Sequence, residues 1–180
     1  MAFMKRKEID KKSVNAERVI ANTPEELILF ASTNGISTEP LDVTGLTQKL
    51  GIAMRMEPMV GEESGSLKKD KFGQWIMTVN SLHHPHRQRF TIAHELGHYI
   101  KHTILKENFI DTTFFRNEES NQMEHEANKF AAELLMPKAL FDNYITKVSK
   151  QVEDLARHFQ VSAMAVRIRA KQLGYEGHNL

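Results

Sequence analysis

The longest helical periodicity in the chain runs from about Arg87 to Ile104, where Phe90, Ala93, Gly97, Ile100 and Ile104 recur at spacings of three and four and make one buried face. A second such pattern, Met123, Ala127, Phe130, Ala131, Leu134 and Leu135, predicts a helix over 123–136 that Pro137 closes. Upstream, the apolar positions between Val14 and Phe30 suggest one or two helices, the later one opened by Thr23-Pro24-Glu25-Glu26 and ended by Asn34-Gly35. A short helix from Val43 to Leu50 stops at Gly51.

Between these stretches the period changes from 3.6 to two. Ile52 to Glu57 alternates as a strand does, and Gly61 to Gly65 reads as a turn. Ser66–Asp70 and Gln74–Asn80 then read as two antiparallel strands joined around Phe72-Gly73. The expectation is an α+β fold in which a small three-stranded antiparallel sheet precedes and packs on the helical core. Segment 106–120 is polar but carries Phe109, Phe114 and Phe115, the make-up of a mobile loop or lid. The first 13 residues read as a charged, irregular start.

After Pro137, a helix over Leu140 to Val148 is followed by Val152–Ser162 leading into Ala163–Leu173, with Ser162 as the cap of the second helix and Gly174 as its end. This piece is helix-turn-helix-like, and Arg167, Arg169 and Lys171 make its second helix basic. Two uses suit it: reading DNA, or packing as a helical pair on the rest of the protein. The packing reading is favoured, because the net charge is only +1 and no aromatics interleave with the basic residues. The division expected is an N-terminal helical segment over 1–40, a central domain over 41–140 and a C-terminal helical segment over 141–180.

Composition narrows the chemistry. With 180 residues, 41% of them hydrophobic and 26% charged, the chain can bury a core of its own. It has no cysteine, which excludes disulfides, thiol nucleophiles and thiolate zinc sites, so a metal must be held by histidine and carboxylate. The basic start Lys5-Arg6-Lys7 has no apolar stretch behind it, and no apolar run approaches the length of a membrane span. A cytoplasmic protein with no membrane partner is expected.

The chemistry is concentrated in His94-Glu95-Leu96-Gly97-His98. On a helix two histidines at i and i+4 lie one turn apart, so both imidazoles reach one metal ion. Glu95 falls beside the ion, where a general base takes a proton from an activated water. A catalytic zinc takes three protein ligands and leaves one position open, so one ligand must come from elsewhere. His102 is about 12 Å along the axis from His94, too far for direct ligation, and is assigned to a supporting or interface position. On the wheel of the 123–136 helix, Glu124 lies at the margin of the apolar face, whereas Glu126 falls with Glu133 toward solvent. Glu124 is therefore the third ligand, and Asn128, four residues on, is placed to orient it or a histidine from behind. His83, His84 and His86 form a loop cluster read as solvent-exposed or substrate-contacting. Tyr99, His125, Tyr144 or a loop histidine can each stabilise an oxyanion, and the sequence does not choose. Zinc is the cofactor that this ligand set suggests, although ligand type alone also admits manganese.

Arg89-Phe90-Thr91-Ile92-Ala93-His94-Glu95-Leu96-Gly97-His98-Tyr99, with Glu124, Ala127-Asn128 and Phe130 to Pro137 downstream, resembles the ImmA/IrrE family of metallopeptidase-like proteins over roughly residues 40 to 140. Val79-Asn80 upstream belongs to the same resemblance. It implies a zincin-like core, zinc on His94, His98 and Glu124, and Glu95 as the catalytic base. It also implies a specific protein substrate, a helix-turn-helix repressor inactivated by cleavage in an anti-repressor role associated with phages or mobile elements. DNA is a less favoured partner. The readings from other classes are a non-proteolytic zinc-containing regulator and a toxin–antitoxin-type partner that binds a repressor or DNA.

Overall fold

In the computed structural model, which describes residues 21–103, 108–111 and 122–175, helix α1 (Pro24–Thr33) starts where the Thr23 side chain accepts a hydrogen bond from the Glu26 amide. Helix α2 (Val43–Lys49) starts in the same way on Asp42, which accepts from the Gly45 amide. The first was legible from its cap and the second from its stop at Gly51, while the Asp42 cap was not anticipated. The expected irregular start and the helical pattern up to Ile20 lie outside the described residues.

Strands β1 (Ala53–Glu57), β2 (Gly65–Lys69) and β3 (Trp75–Asn80) follow, and β2 and β3 form the anticipated antiparallel hairpin with Leu67 opposite Met77. In its turn, Asp70 accepts hydrogen bonds from the amides of Phe72 and Gln74. The sheet itself differs from the expectation. It has four strands in the order β1-β3-β2-β4, and β1 runs parallel to β3. The fourth strand, β4 (Asn108–Asp111), pairs antiparallel with β2 and comes from the segment read as a lid. The remainder of that segment lies outside the described residues. Alternation shows that a strand has two faces and is silent about its neighbour, so a parallel pairing across a skipped strand leaves no local mark. Gly65, read as the end of a turn, is instead the first residue of β2.

Helix α3 (Pro85–His102) lies between this sheet and α4 (Gln122–Leu135), and every residue from Phe90 to His98 is buried. A helix buried all round normally carries apolar residues throughout. This one carries His94, Glu95 and His98 in its most deeply buried stretch, at 0%, 0% and 1% exposure. Buried polar groups of this kind need partners or a function.

Helices α5 (Lys138–Lys147), α6 (Val152–Phe159) and α7 (Ala163–Gln172) extend the core beyond Pro137. Phe141 of α5 stacks on Phe159 of α6 with ring centroids 5.8 Å apart. Ser162 caps α7 by accepting from the Ala165 amide. The basic face attributed to α7 must be corrected at one position. Arg169 is buried, and its Nε donates to the Met136 carbonyl at 3.0 Å, so it closes the C-terminal end of α4 and is not displayed for DNA. Arg167 and Lys171 are exposed. Among the described residues no helix is long and apolar enough to cross a membrane.

Candidate metal centre

Two helices supply the site, and their close approach sets its width. Gly97 of α3 faces Ala127 and Phe130 of α4, where a Cβ at residue 97 would stand 3.0 Å from the Ala127 Cα and 3.2 Å from the Ala127 oxygen. Ala127 and Ala131 keep the facing side of α4 equally thin, and both are fully buried. The α3 histidines therefore meet the first turn of α4 directly.

At that meeting point His94, His98 and Glu124 offer ligand atoms that all lie within 4.8 Å of one another. The Nε2 atoms of the two histidines are 3.0 Å apart. Glu124 Oε2 is 3.2 Å from His94 Nε2, and Oε1 is 3.3 Å from His98 Nε2. Burial lowers the His98 pKa from its ordinary value, and the contact with Glu124 only partly opposes this. Burial pushes the Glu124 carboxyl up, but hydrogen bonding to both imidazoles outweighs it and holds the group well below the usual carboxylate range.

The outer nitrogens of the histidines are occupied as well. His94 Nδ1 is 3.0 Å from Asn128 Oδ1, so in the tautomer with its proton on Nδ1 the ring donates to that oxygen and turns its Nε2 lone pair to the cluster, the form that a cation requires. His98 Nδ1 is 3.0 Å from His102 Nδ1, and His102 Nε2 is 3.1 Å from Glu126 Oε2. In the tautomers whose protons lie outward, two imidazole lone pairs and an ionised carboxylate converge on one point. Two nitrogens and one carboxylate make a donor set able to hold a cation.

Glu95 is fully buried on the sheet-facing side of α3. Strand β2 passes close to it: a Cβ on Gly65 would stand 2.5 Å from Thr91 Cγ2 and 3.3 Å from Glu95 Oε1. The strand backbone thus forms one wall of the Glu95 pocket, a role for Gly65 that a turn assignment could not suggest.

The structure brings His94, Glu95, His98, His102, Glu124 and Asn128 into one neighbourhood on α3 and α4. Among the described residues, His94, His98 and Glu124 are the group able to hold a metal, and none of the loop histidines joins it. His84 instead caps α3, accepting from the His86 amide. Of the residues considered for an oxyanion, Tyr99 packs edge-on against Trp75 and Tyr144 stacks on His158 in α6. Glu126 is exposed as the wheel implied but also reaches His102, which the wheel of a single helix could not register. Its neighbour on the wheel, Glu133, is half-buried with its carboxylate 3.7 Å from Arg169.

Residues 47–171 match the family model described as the IrrE N-terminal-like domain. The metallopeptidase ImmA of Bacillus subtilis is 32% identical over 120 residues, which span 64% of this chain and 67% of that protein. The radiation response metalloprotease IrrE of Deinococcus deserti is 31% identical over 142 residues, covering 74% of this chain but only 48% of the relative. A Mycobacterium tuberculosis transcriptional regulator of known structure shares the fold, with a TM-score of 0.56 at 18% identity over 82% of this chain and 46% of that one.

Proposed function

Because the chain belongs to the ImmA/IrrE metallopeptidase family, we propose that it is a zinc-dependent endopeptidase in which His94, His98 and Glu124 bind the metal and Glu95 is the catalytic base. The observation that carries this reading is the convergence of the two Nε2 atoms and the Glu124 carboxylate, with Glu95 on the same helix beside them. Two histidines and one carboxylate leave a coordination position for water, and zinc is the ion such a set most often serves. When bound, the ion supplies a water acidic enough to ionise near neutral pH and polarises the peptide carbonyl.

The protein's own residues do the rest. Glu95 takes the proton from the water as the oxygen attacks the carbonyl carbon, holds it on its carboxylate, and delivers it to the amide nitrogen as the C–N bond breaks. Asn128 and His102 keep the two imidazoles in the tautomer that turns Nε2 inward.

The substrate we assign is one specific protein, a helix-turn-helix repressor encoded beside this chain, cut in the cytoplasm. The test uses the full chain with that repressor. Wild type should contain one equivalent of zinc and cleave the repressor, Glu95→Gln should keep the zinc and lose cleavage, and Glu124→Gln should lose zinc. Cleavage that survives Glu95→Gln would exclude the mechanism. Zinc binding with no proteolysis would leave a non-proteolytic regulator as the function.

A further inference from the structure

We infer that Glu126, on the outer surface of α4, is a positioning residue for the metal cluster that acts through His102 on His98. The inference rests on the reading of His94, His98 and Glu124 as metal ligands and adds a second route by which α4 controls them. Three contacts carry it. Glu126 Oε2 lies 3.1 Å from His102 Nε2, His102 Nδ1 lies 3.0 Å from His98 Nδ1, and His98 Nε2 faces the cluster, 3.3 Å from Glu124 Oε1.

The positions of the protons follow from the outer end inward. An ionised carboxylate only accepts hydrogen bonds, so His102 donates from Nε2. A neutral imidazole with its proton on Nε2 has a lone pair on Nδ1, and that atom must accept from the His98 Nδ1–H. With its proton on Nδ1, His98 turns the Nε2 lone pair toward the metal position. Each bond favours the next tautomer, so a surface charge biases a buried imidazole toward the form that binds a cation, against the pull of Glu124 on the His98 Nε2 proton when no cation is bound. Take the carboxylate away and His102 can carry its proton on Nδ1. The contact then runs the other way, and the His98 proton moves to Nε2, the atom that should ligate.

The two ligating histidines are therefore fixed by different means. His94 is held directly by the Asn128 amide, inside the α3–α4 interface. His98 is held through an intermediate imidazole that is 3% exposed, by a carboxylate that is 46% exposed. Glu126 stands on the wall of a cleft of about 330 Å3 that Lys101, Lys129 and Glu133 also line, so the outer end of the relay is reachable from outside the catalytic site.

A plain structural clip between α3 and α4 is the competing role, and the two are separable. In the metal-free protein, long-range 1H–15N correlation of the imidazoles should find a larger share of the His98 proton on Nδ1 in wild type than in Glu126→Ala. Glu126→Ala should shift it toward Nε2 and weaken zinc binding, measured by competition with a chromogenic chelator, by about tenfold or more, the range for residues that orient a metal ligand. Glu126→Gln keeps an oxygen that accepts from His102, and should restore the tautomer and most of the affinity. Unchanged His98 protonation and zinc affinity in Glu126→Ala, with only a lower melting temperature, would overturn the relay and leave the clip. The ligand reading fails separately, if wild type binds no more zinc than His98→Ala does. The tautomer measurement needs no metal and is not affected by that result.

Discussion

Gly97 of α3 and Ala127 of α4 lie so close that a methyl group on Gly97 would stand 3.0 Å from the Ala127 Cα. Glu124 is three residues before Ala127 and His98 is one residue after Gly97, so the contact sets the distance between ligand atoms on the two helices. Gly97→Ala must push α4 outward and should cost about 1–3 kcal/mol of stability, the usual penalty for overpacking a close-packed interface. Zinc affinity should fall with it. Urea unfolding of the metal-free protein and chelator competition read the two effects, and a variant of wild-type stability and affinity would show that the helices are not held at this distance.

Asn128 offers a different kind of test, because it touches the outer nitrogen of His94, Nδ1, without filling the helix interface. Asn128→Ala removes the acceptor for His94 Nδ1 and should weaken zinc binding by roughly 10–100-fold. Asn128→Asp retains an acceptor and should recover much of the loss. Equal affinity for the alanine variant and wild type would remove Asn128 from the site.

On the opposite side of α3, Gly65 gives the Glu95 pocket its wall. Gly65→Ala drives a methyl into Thr91 and to 3.3 Å from Glu95 Oε1, so it should slow cleavage while leaving the zinc stoichiometry at one. The separation of the two readouts is the test: loss of zinc together with activity would mean that the whole helix has moved and not the base alone.

Zinc itself should stabilise the folded chain, since the ligand cluster is assembled only when α3 and α4 pack. At a free zinc concentration 100 times the dissociation constant the gain is about 2.7 kcal/mol by mass action. Calorimetry should show a melting temperature that rises with zinc and returns on chelation, and Glu124→Gln should be nearly insensitive to both. A wild-type melting curve indifferent to zinc and chelator would count against a folded-state metal site.

Arg169 separates packing from surface charge in α7. Its guanidinium is buried and donates to the Met136 carbonyl, so Arg169→Ala strands that acceptor and should cost about 1–3 kcal/mol. Arg167→Ala, one turn face away and exposed, should stay within roughly 0.5 kcal/mol of wild type. Matching denaturation curves for the two variants would contradict the assigned role of Arg169.

What the sequence by itself determined is local in origin. Caps at Thr23 and Ser162, the helices around His94 and Glu124, and the β2–β3 hairpin all follow from spacings of a few residues, because a helical turn or a tight turn closes within that distance. The same periodicity put His94 and His98 on one face and Glu124 at the edge of another, so the three residues of the cluster could be named before any contact was visible. Tertiary structure decided everything that depends on which distant segment becomes a neighbour. It paired β1 with β3 in parallel, added β4 to the sheet, set Gly65 against Glu95, and buried Arg169 under Met136. It also gave Glu126 a partner. A helical wheel assigns each residue to solvent or core on its own axis, and Glu126 does face solvent; only the crossing of α3 over α4 brings the far end of His102 within 3.1 Å of it.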